Sequence, residues 1–246
     1  MRELNEIIDG TIKVLEDMKR SGATHVEVSN KTIEELSKPV VSVPRALGTA
    51  VATAGDPATE LAAIEARAKI CVKCSELSRC RTNVVFGAGN SKAEIMFVGE
   101  GPGHDEDVQG LPFVGRSGEL LTKIIAAMGF TREEVYIANV VKCRPPENRT
   151  PLPDEIANCL PYLLSQIELI QPKVLVALGA TAVRALLDVH LGITKMRGHW
   201  YTFRGIPIMP TFHPAYLLRN PPAKKDVWGD MKAVLEKLGR EVPKSR

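Results

Sequence analysis

The 246-residue chain has no strong charge of either sign: 32 Lys and Arg stand against 29 Asp and Glu, a net charge of +3 at pH 7. That balance permits nucleic-acid binding without demanding it, so any basic surface has to be local. No run comes near the roughly 18 apolar residues that a membrane span needs. The opening MRELNEIIDG is acidic and lacks the apolar stretch of a secretion signal. The expectation is a cytoplasmic protein. There is no internal repeat and no low-complexity tract. Cysteines are few and odd in number, five in all. In a reducing compartment that count argues against structural disulfides and gives metal ligation weight.

What is present reads as an ordinary globular chain, 44% hydrophobic and 25% charged, with length for one good-sized domain and an appendage. Leu4, Ile7, Ile8, Ile12, Leu15 and Met18 recur at helical spacing. They predict an N-terminal helical extension over residues 1–37, either packed on the main domain or reserved for a partner. Residues 38–61 are rich in Pro, Ala, Gly and Thr and read as a linker. From residue 62 to 240 a short helix, Ala62–Ile70, leads into a regular alternation. Strand-like runs are Glu94–Val98, Val135–Val140, Val174–Leu178 and Ile206–Thr211; helix-like runs are Gly118–Met128, Asp154–Ile170, Ala180–Val189 and Lys224–Leu238. The pattern predicts a three-layer α/β/α domain with a central, mainly parallel four-stranded sheet. In such sheets ligands sit beyond the carboxyl ends of the strands. Three motifs lie at those ends.

The first is GEGPGHDEDVQGLPFVG, residues 99–115, read as a loop with five glycines and two prolines but no lysine. It lacks the Gly-Lys-Ser/Thr of a phosphate-binding P-loop, and its alternating glycines do not open directly into a helix as a dinucleotide site requires. Glu100, Asp105, Glu106 and Asp107 would repel a pyrophosphate. A Gly/Pro loop can instead bring backbone amides and a carboxylate or two close to a flat ligand. Phe113 offers a ring to stack on, or a core phenylalanine.

The second motif, ANVVKCRPPENR, ends the second strand-like run. The side-chain amide of its Asn139 carries both an acceptor and a donor and so matches the N3–H and O4 edge of uracil or thymine. Lys142, Arg144 and Arg149 make a local basic patch, or simply solvated charge. The third is HPAYLLRNP. His213 precedes Pro214 and is therefore held extended; it suits a hydrogen-bond or acid/base role, or an ordinary loop position. Leu217 and Leu218 beside Arg219 read as an apolar wedge next to a phosphate contact, or as the first turn of a helix packing inward. Cys71 and Cys74 form a single CxxC, without the second pair usual in zinc ribbons. With the distant Cys143 and Cys159 they could hold an iron–sulfur cluster or zinc, or be unrelated buried thiols.

Together, CVKC, GEGPGHDEDVQGLPFVG, ANVVKCRPPENR with Cys159 downstream, and HPAYLLRNP resemble the family 4 uracil-DNA glycosylases over about Ala62 to Leu238. The resemblance implies a [4Fe–4S] cluster on Cys71, Cys74, Cys143 and Cys159, with Cys80 free. It implies a uracil pocket of Glu100, Gly101, Phe113, Asn139 and His213, with Phe113 stacking on the extruded base, Asn139 reading its edge and His213 on uracil O2. Glu100, Glu106 and His213 would be catalytic, Glu100 positioning water and Glu106 near the sugar. Lys142, Arg144, Arg149, Leu217, Leu218 and Arg219 would contact DNA. The implied partner is uracil-containing DNA, with a monomer as the default. The best-known branch of the superfamily has an aspartate where Gly101 stands here, so the general-base role does not transfer to that position.

The implied activity is monofunctional uracil excision, because no lysine in the motifs stands out as a nucleophile for lyase chemistry. Two alternatives stand beside it: a non-catalytic module of the same fold that binds uracil or damaged DNA, and a zinc-stabilised nucleotide-binding protein. A related branch traps its product through a histidine in a basic loop; the corresponding RPPENRTPLPDE has none.

Overall fold

The computed structural model describes Arg20, residues 56–189 and residues 191–243. The expected N-terminal helical extension (all but Arg20) and the linker up to residue 55 lie outside the described residues.

Four apolar runs become parallel strands. They are β2 (Ile95–Gly99), β3 (Tyr136–Asn139), β4 (Val174–Leu178) and β6 (Ile206–Thr211). The first three are buried along their whole length, as continuous apolar runs in a two-sided parallel sheet must be. Their order in the sheet is β3-β2-β4-β6. The register aligns the carboxyl ends: Gly99 pairs with Asn139, Val98 with Ala177, and Leu178 with Thr211.

The expected four-stranded sheet is extended to six by two short edge strands, β1 (Ala88–Gly89) against β3 and β5 (Tyr201–Phe203) against β6, both antiparallel. Neither is long enough to show a periodicity. The β5–β6 hairpin closes through Arg204 and Gly205, both with positive φ (48° and 84°), which is the signature of a type I′ turn.

Alternate residues of each strand face opposite helical layers. On one face Met96, Val98, Ala138, Leu175 and Ala177 pack with α1 (Pro57–Lys69), α5 (Pro153–Ile170) and α6 (Ala180–Leu187). On the other, Ile95, Phe97, Ile137, Val176 and Met209 pack with α4 (Arg116–Ala127) and α9 (Lys224–Lys237). The three-layer expectation holds. Helix α1 starts five residues earlier than the sequence reading, with Pro57 in its first turn, where a missing N–H costs nothing.

The 99–115 stretch is not all loop. Residues His104–Gln109 form a helix, α3. Gly103 is its N-cap and donates its N–H to Glu106, while Gly110 closes it in the left-handed region at φ 71°. Three acidic residues fill the first turn, where the helix dipole favours negative charge. Part of the acidity of this stretch is thus helix-making rather than ligand-facing. Two further short helices are α2 (Ser75–Cys80) and α7 (Ile193–Met196); α8 (Pro214–Arg219) follows β6 directly.

Candidate active site

A cleft of about 560 Å³ opens over the aligned carboxyl ends of the parallel strands. Glu100, Gly101, Phe113, Asn139 and His213 all line it, as does Arg219. The three sequence motifs, together with the β4–α6 turn, therefore meet in one place.

Asn139 ends β3 and is fully buried. Among the described residues its Oδ1 is the buried side-chain polar atom without a hydrogen-bond partner. Such an orphan acceptor costs on the order of 1–3 kcal/mol until a donor arrives. Gly99, across the strand pair, makes room for it: a β-carbon there would lie 2.4 Å from Asn139 Oδ1 and 2.5 Å from Phe113 Cζ. Phe113 sits at φ 54°, and its ring centroid is 5.5 Å from that of His213.

His213 caps α8. Its Nδ1 accepts from the Ala215 N–H at 3.2 Å. Accepting there requires Nδ1 to be bare, so the neutral ring carries its proton on Nε2. Burial, and secondarily the charge of Arg219, pushes the His213 pKa from 6.5 down to about 4. The ring is neutral at physiological pH, with an N–H donor to offer. Glu100 follows β2, and its carboxylate accepts from the Thr181 hydroxyl.

Several expectations need correction. Lys142 is no phosphate contact: it is 1% exposed, donating to the Asn139 carbonyl (2.8 Å) and to Gln166 Oε1 (2.6 Å). Burial pushes its pKa down to about 7. It supports Asn139 from within. Leu217 is fully buried in the core and is no wedge, whereas Leu218 is 37% exposed. Glu106 lines the cleft but is buried, and accepts from Gly103, Val114 and Gly115 N–H groups at 3.1, 2.9 and 2.9 Å. Those bonds make it an organiser of the loop before α4 rather than a group free to face a sugar. Arg149 reaches the cleft but is ion-paired with Glu155 (2.7 Å) and Glu76 (2.6 Å). Arg144 bonds Asn148 and His104.

The profile of the uracil DNA glycosylase superfamily matches residues 86–232, a span that begins before β1 and ends within α9. This chain belongs to that superfamily. A type-4 uracil-DNA glycosylase of Thermotoga maritima is 55% identical over 161 residues, covering 64% of this chain and 82% of the relative. Type-4 enzymes of Saccharolobus solfataricus and Archaeoglobus fulgidus are 48% and 42% identical over 177 and 181 residues, spanning 68% and 70% of this chain and 82% and 90% of theirs. The type-4 family is the one its motifs resemble.

For a glycosylase of this type the four cysteines matter next. Cys71, Cys74, Cys143 and Cys159 line one small cavity between α1, α2 and α5, while Cys80 is exposed at the end of α2. Among the described residues no three His, Cys, Asp or Glu side chains converge on a point that could hold a single metal ion. A polynuclear cluster places its own sulfides between the irons and needs thiolates around a space. The donor set fits one. Arg81 donates to Cys143 Sγ at 3.2 Å and the Lys142 N–H to Cys159 Sγ at 3.1 Å. Burial pushes the Cys159 thiol up to about 12, so a thiolate there calls for the positive charge of a bound metal centre.

Sequence reasoning missed Thr181 and Arg184. Both lie in the turn and first helix after β4 and line the cleft. The rule that placed the other three motifs, a strand's carboxyl end, applies equally to Gly179-Ala180-Thr181. No helix of the described residues is long and apolar enough to cross a membrane.

Proposed function

We propose that this chain is a monofunctional uracil-DNA glycosylase: it binds uracil-containing DNA, extrudes the uracil and hydrolyses its N-glycosidic bond to leave an abasic site. The observation that carries the reading is the buried, unpartnered Asn139 Oδ1 in a cleft that also holds a flat ring, Phe113, and the neutral donor His213.

A base inside a duplex is out of reach of any cleft, so it must leave the stack at a cost of a few kcal/mol. Leu218 enters the gap, and Arg219 holds the backbone beside it. In the cleft the uracil lies against Phe113. Its N3–H satisfies Asn139 Oδ1, and its O2 accepts from His213 Nε2. As the C1′–N1 bond breaks, negative charge grows on the base. A fixed donor aimed at such charge is worth about 3 kcal/mol. Because His213 is neutral, it stabilises the anion by hydrogen bonding without transferring a full charge. The Glu100 carboxylate, held by Thr181, faces the cationic sugar and orients the attacking water. Glu106 fixes the loop that carries Phe113.

In the same reading Cys71, Cys74, Cys143 and Cys159 hold a [4Fe–4S] cluster. Hydrolysis moves no electrons, so these four thiolates would serve to tie the segment after α1, the start of α2, the segment after Asn139 and α5 together through the cluster. The reading includes a monomer and a cytoplasmic residence.

The test is a single-turnover assay on a labelled oligonucleotide with one uracil, followed by hot alkali. Strand cleavage at the uracil only after alkali is expected. Cleavage without alkali would replace the monofunctional assignment by a lyase. Full-length DNA after alkali, from folded protein, would overturn the assignment as an enzyme.

A further inference from the structure

Phe113 holds a backbone conformation that a bulky residue rarely adopts, φ 54° in the left-handed region. Such a conformation persists only where neighbours over-determine it. Here the neighbour is a residue outside the cleft motifs. Arg132, in the turn between α4 and β3, sends its guanidinium under the Phe113 loop. Its Nη1 donates to the Phe113 carbonyl at 2.9 Å and its Nη2 to the Pro112 carbonyl at 2.7 Å. Nη1 also reaches Thr122 Oγ1 at 3.1 Å, which ties the fork to α4.

The two carbonyls belong to the two peptide planes on either side of the Phe113 α-carbon. The rotations of those planes are φ and ψ of residue 113. One rigid, planar cation that binds both carbonyls therefore fixes both torsions, and with them the direction of the ring. The far side of the second plane is held too: the Val114 N–H donates to Glu106. Gly118 completes the seat, since a β-carbon there would lie 1.9 Å from the Phe113 carbonyl oxygen.

We propose that Arg132 is the positioning residue of this site, setting the Phe113 ring at the height and tilt a flat base requires. The proposal rests on the reading of Phe113 as the stacking platform. Arg132 touches no substrate. It acts through two backbone carbonyls.

The experiment compares wild type with R132A, R132K, G118A and F113L. It reads the single-turnover rate on uracil DNA, inhibition by free uracil, affinity for uracil-free DNA, and Tm. R132A is expected to lose on the order of tenfold to hundredfold in rate and a comparable factor in uracil inhibition, with affinity for uracil-free DNA unchanged. R132K should not recover the loss, because an ammonium on a flexible stem lacks the rigid planar fork that fixes both carbonyls at once. Added guanidinium should restore part of the rate to R132A, where sodium at equal ionic strength does not. G118A leaves the cation in place and presses on the same carbonyl, so it should reproduce the R132A pattern; if R132A does not fold, G118A decides. Wild-type rate and uracil inhibition in folded R132A or G118A, with F113L impaired, would overturn the clamp and leave the platform standing. Wild-type uracil inhibition in F113L would remove the platform and the proposal with it.

Discussion

The α-carbon of Gly99 and the amide of Asn139 stand so close that a single methyl group on the glycine would lie 2.4 Å from Asn139 Oδ1. The same methyl would meet the tip of the Phe113 ring at 2.5 Å. One glycine thus makes room for both the group proposed to read the base edge and the group proposed to stack on its face. G99A is expected to fold, because strand β2 tolerates any residue in its backbone, and to lose roughly a hundredfold in single-turnover rate, the scale of a misplaced contact. A wild-type rate in G99A would show that the two side chains have room to move apart.

His213 is neutral in the folded protein down to about pH 4, against 6.5 for an ordinary histidine. Between those values the unfolded chain binds a proton that the folded chain does not. The stability that rests on a neutral His213 is therefore present above about 6.5 and is lost as pH falls toward 4. The rate profile should show no inflection from His213 near pH 6.5. H213A should lose about a hundredfold or more in rate, the cost of one fixed donor. It should also lose about 1 kcal/mol of stability with the helix cap. An acid limb near 6.5 that disappears in the variant would contradict the neutral-donor role.

Glu100 and Thr181 should behave as a pair. E100Q is expected to lose roughly tenfold or more in turnover with DNA binding kept. T181V removes the hydroxyl that the carboxylate accepts from, and the double variant should be little worse than E100Q. Additive losses would place Thr181 on an independent task.

Neighbouring leucines should separate cleanly. L217A removes a fully buried side chain and should cost about 2–5 kcal/mol in unfolding free energy. L218A should leave stability alone and slow excision from duplex more than from single strands, where there is no gap to fill. Equal effects on both substrates would remove Leu218 as the wedge.

The purified protein should be brown, with broad absorption near ~400 nm, if a cluster of this type is bound. C71A should lose iron and folding yield together, while C80S, at an exposed position, should keep both. A colourless protein with stoichiometric zinc would replace the cluster.

The sheet was legible because its four parallel strands are long apolar runs, and the cleft followed from the rule about strand ends. The edge strands at Ala88 and Tyr201 escaped because two or three residues carry no period. Helix α3 was hidden by its own acidity, although Gly103, Glu106 and Gly110 are a start and a stop in sequence. Charge misled most. Lys142 and Glu106 have the residue types of a DNA contact and a catalytic carboxylate, yet both are buried, and no sequence window shows which lysine in a basic patch points inward. Arg132 was invisible for a related reason: its role depends on two carbonyls 20 and 19 residues away.

Asn139 and Cys143 stand on one short piece of chain, and Lys142 between them bonds the carbonyl of the first and, through its N–H, the sulfur of Cys159. That piece has no slack. An added or deleted residue would have to shift either the Asn139 amide or a thiol, so laboratory evolution toward other bases should leave the length of 139–143 alone. The freedom lies at the exposed surface in and just after α3, where Val108 and Leu111 meet solvent and can vary without disturbing either anchor.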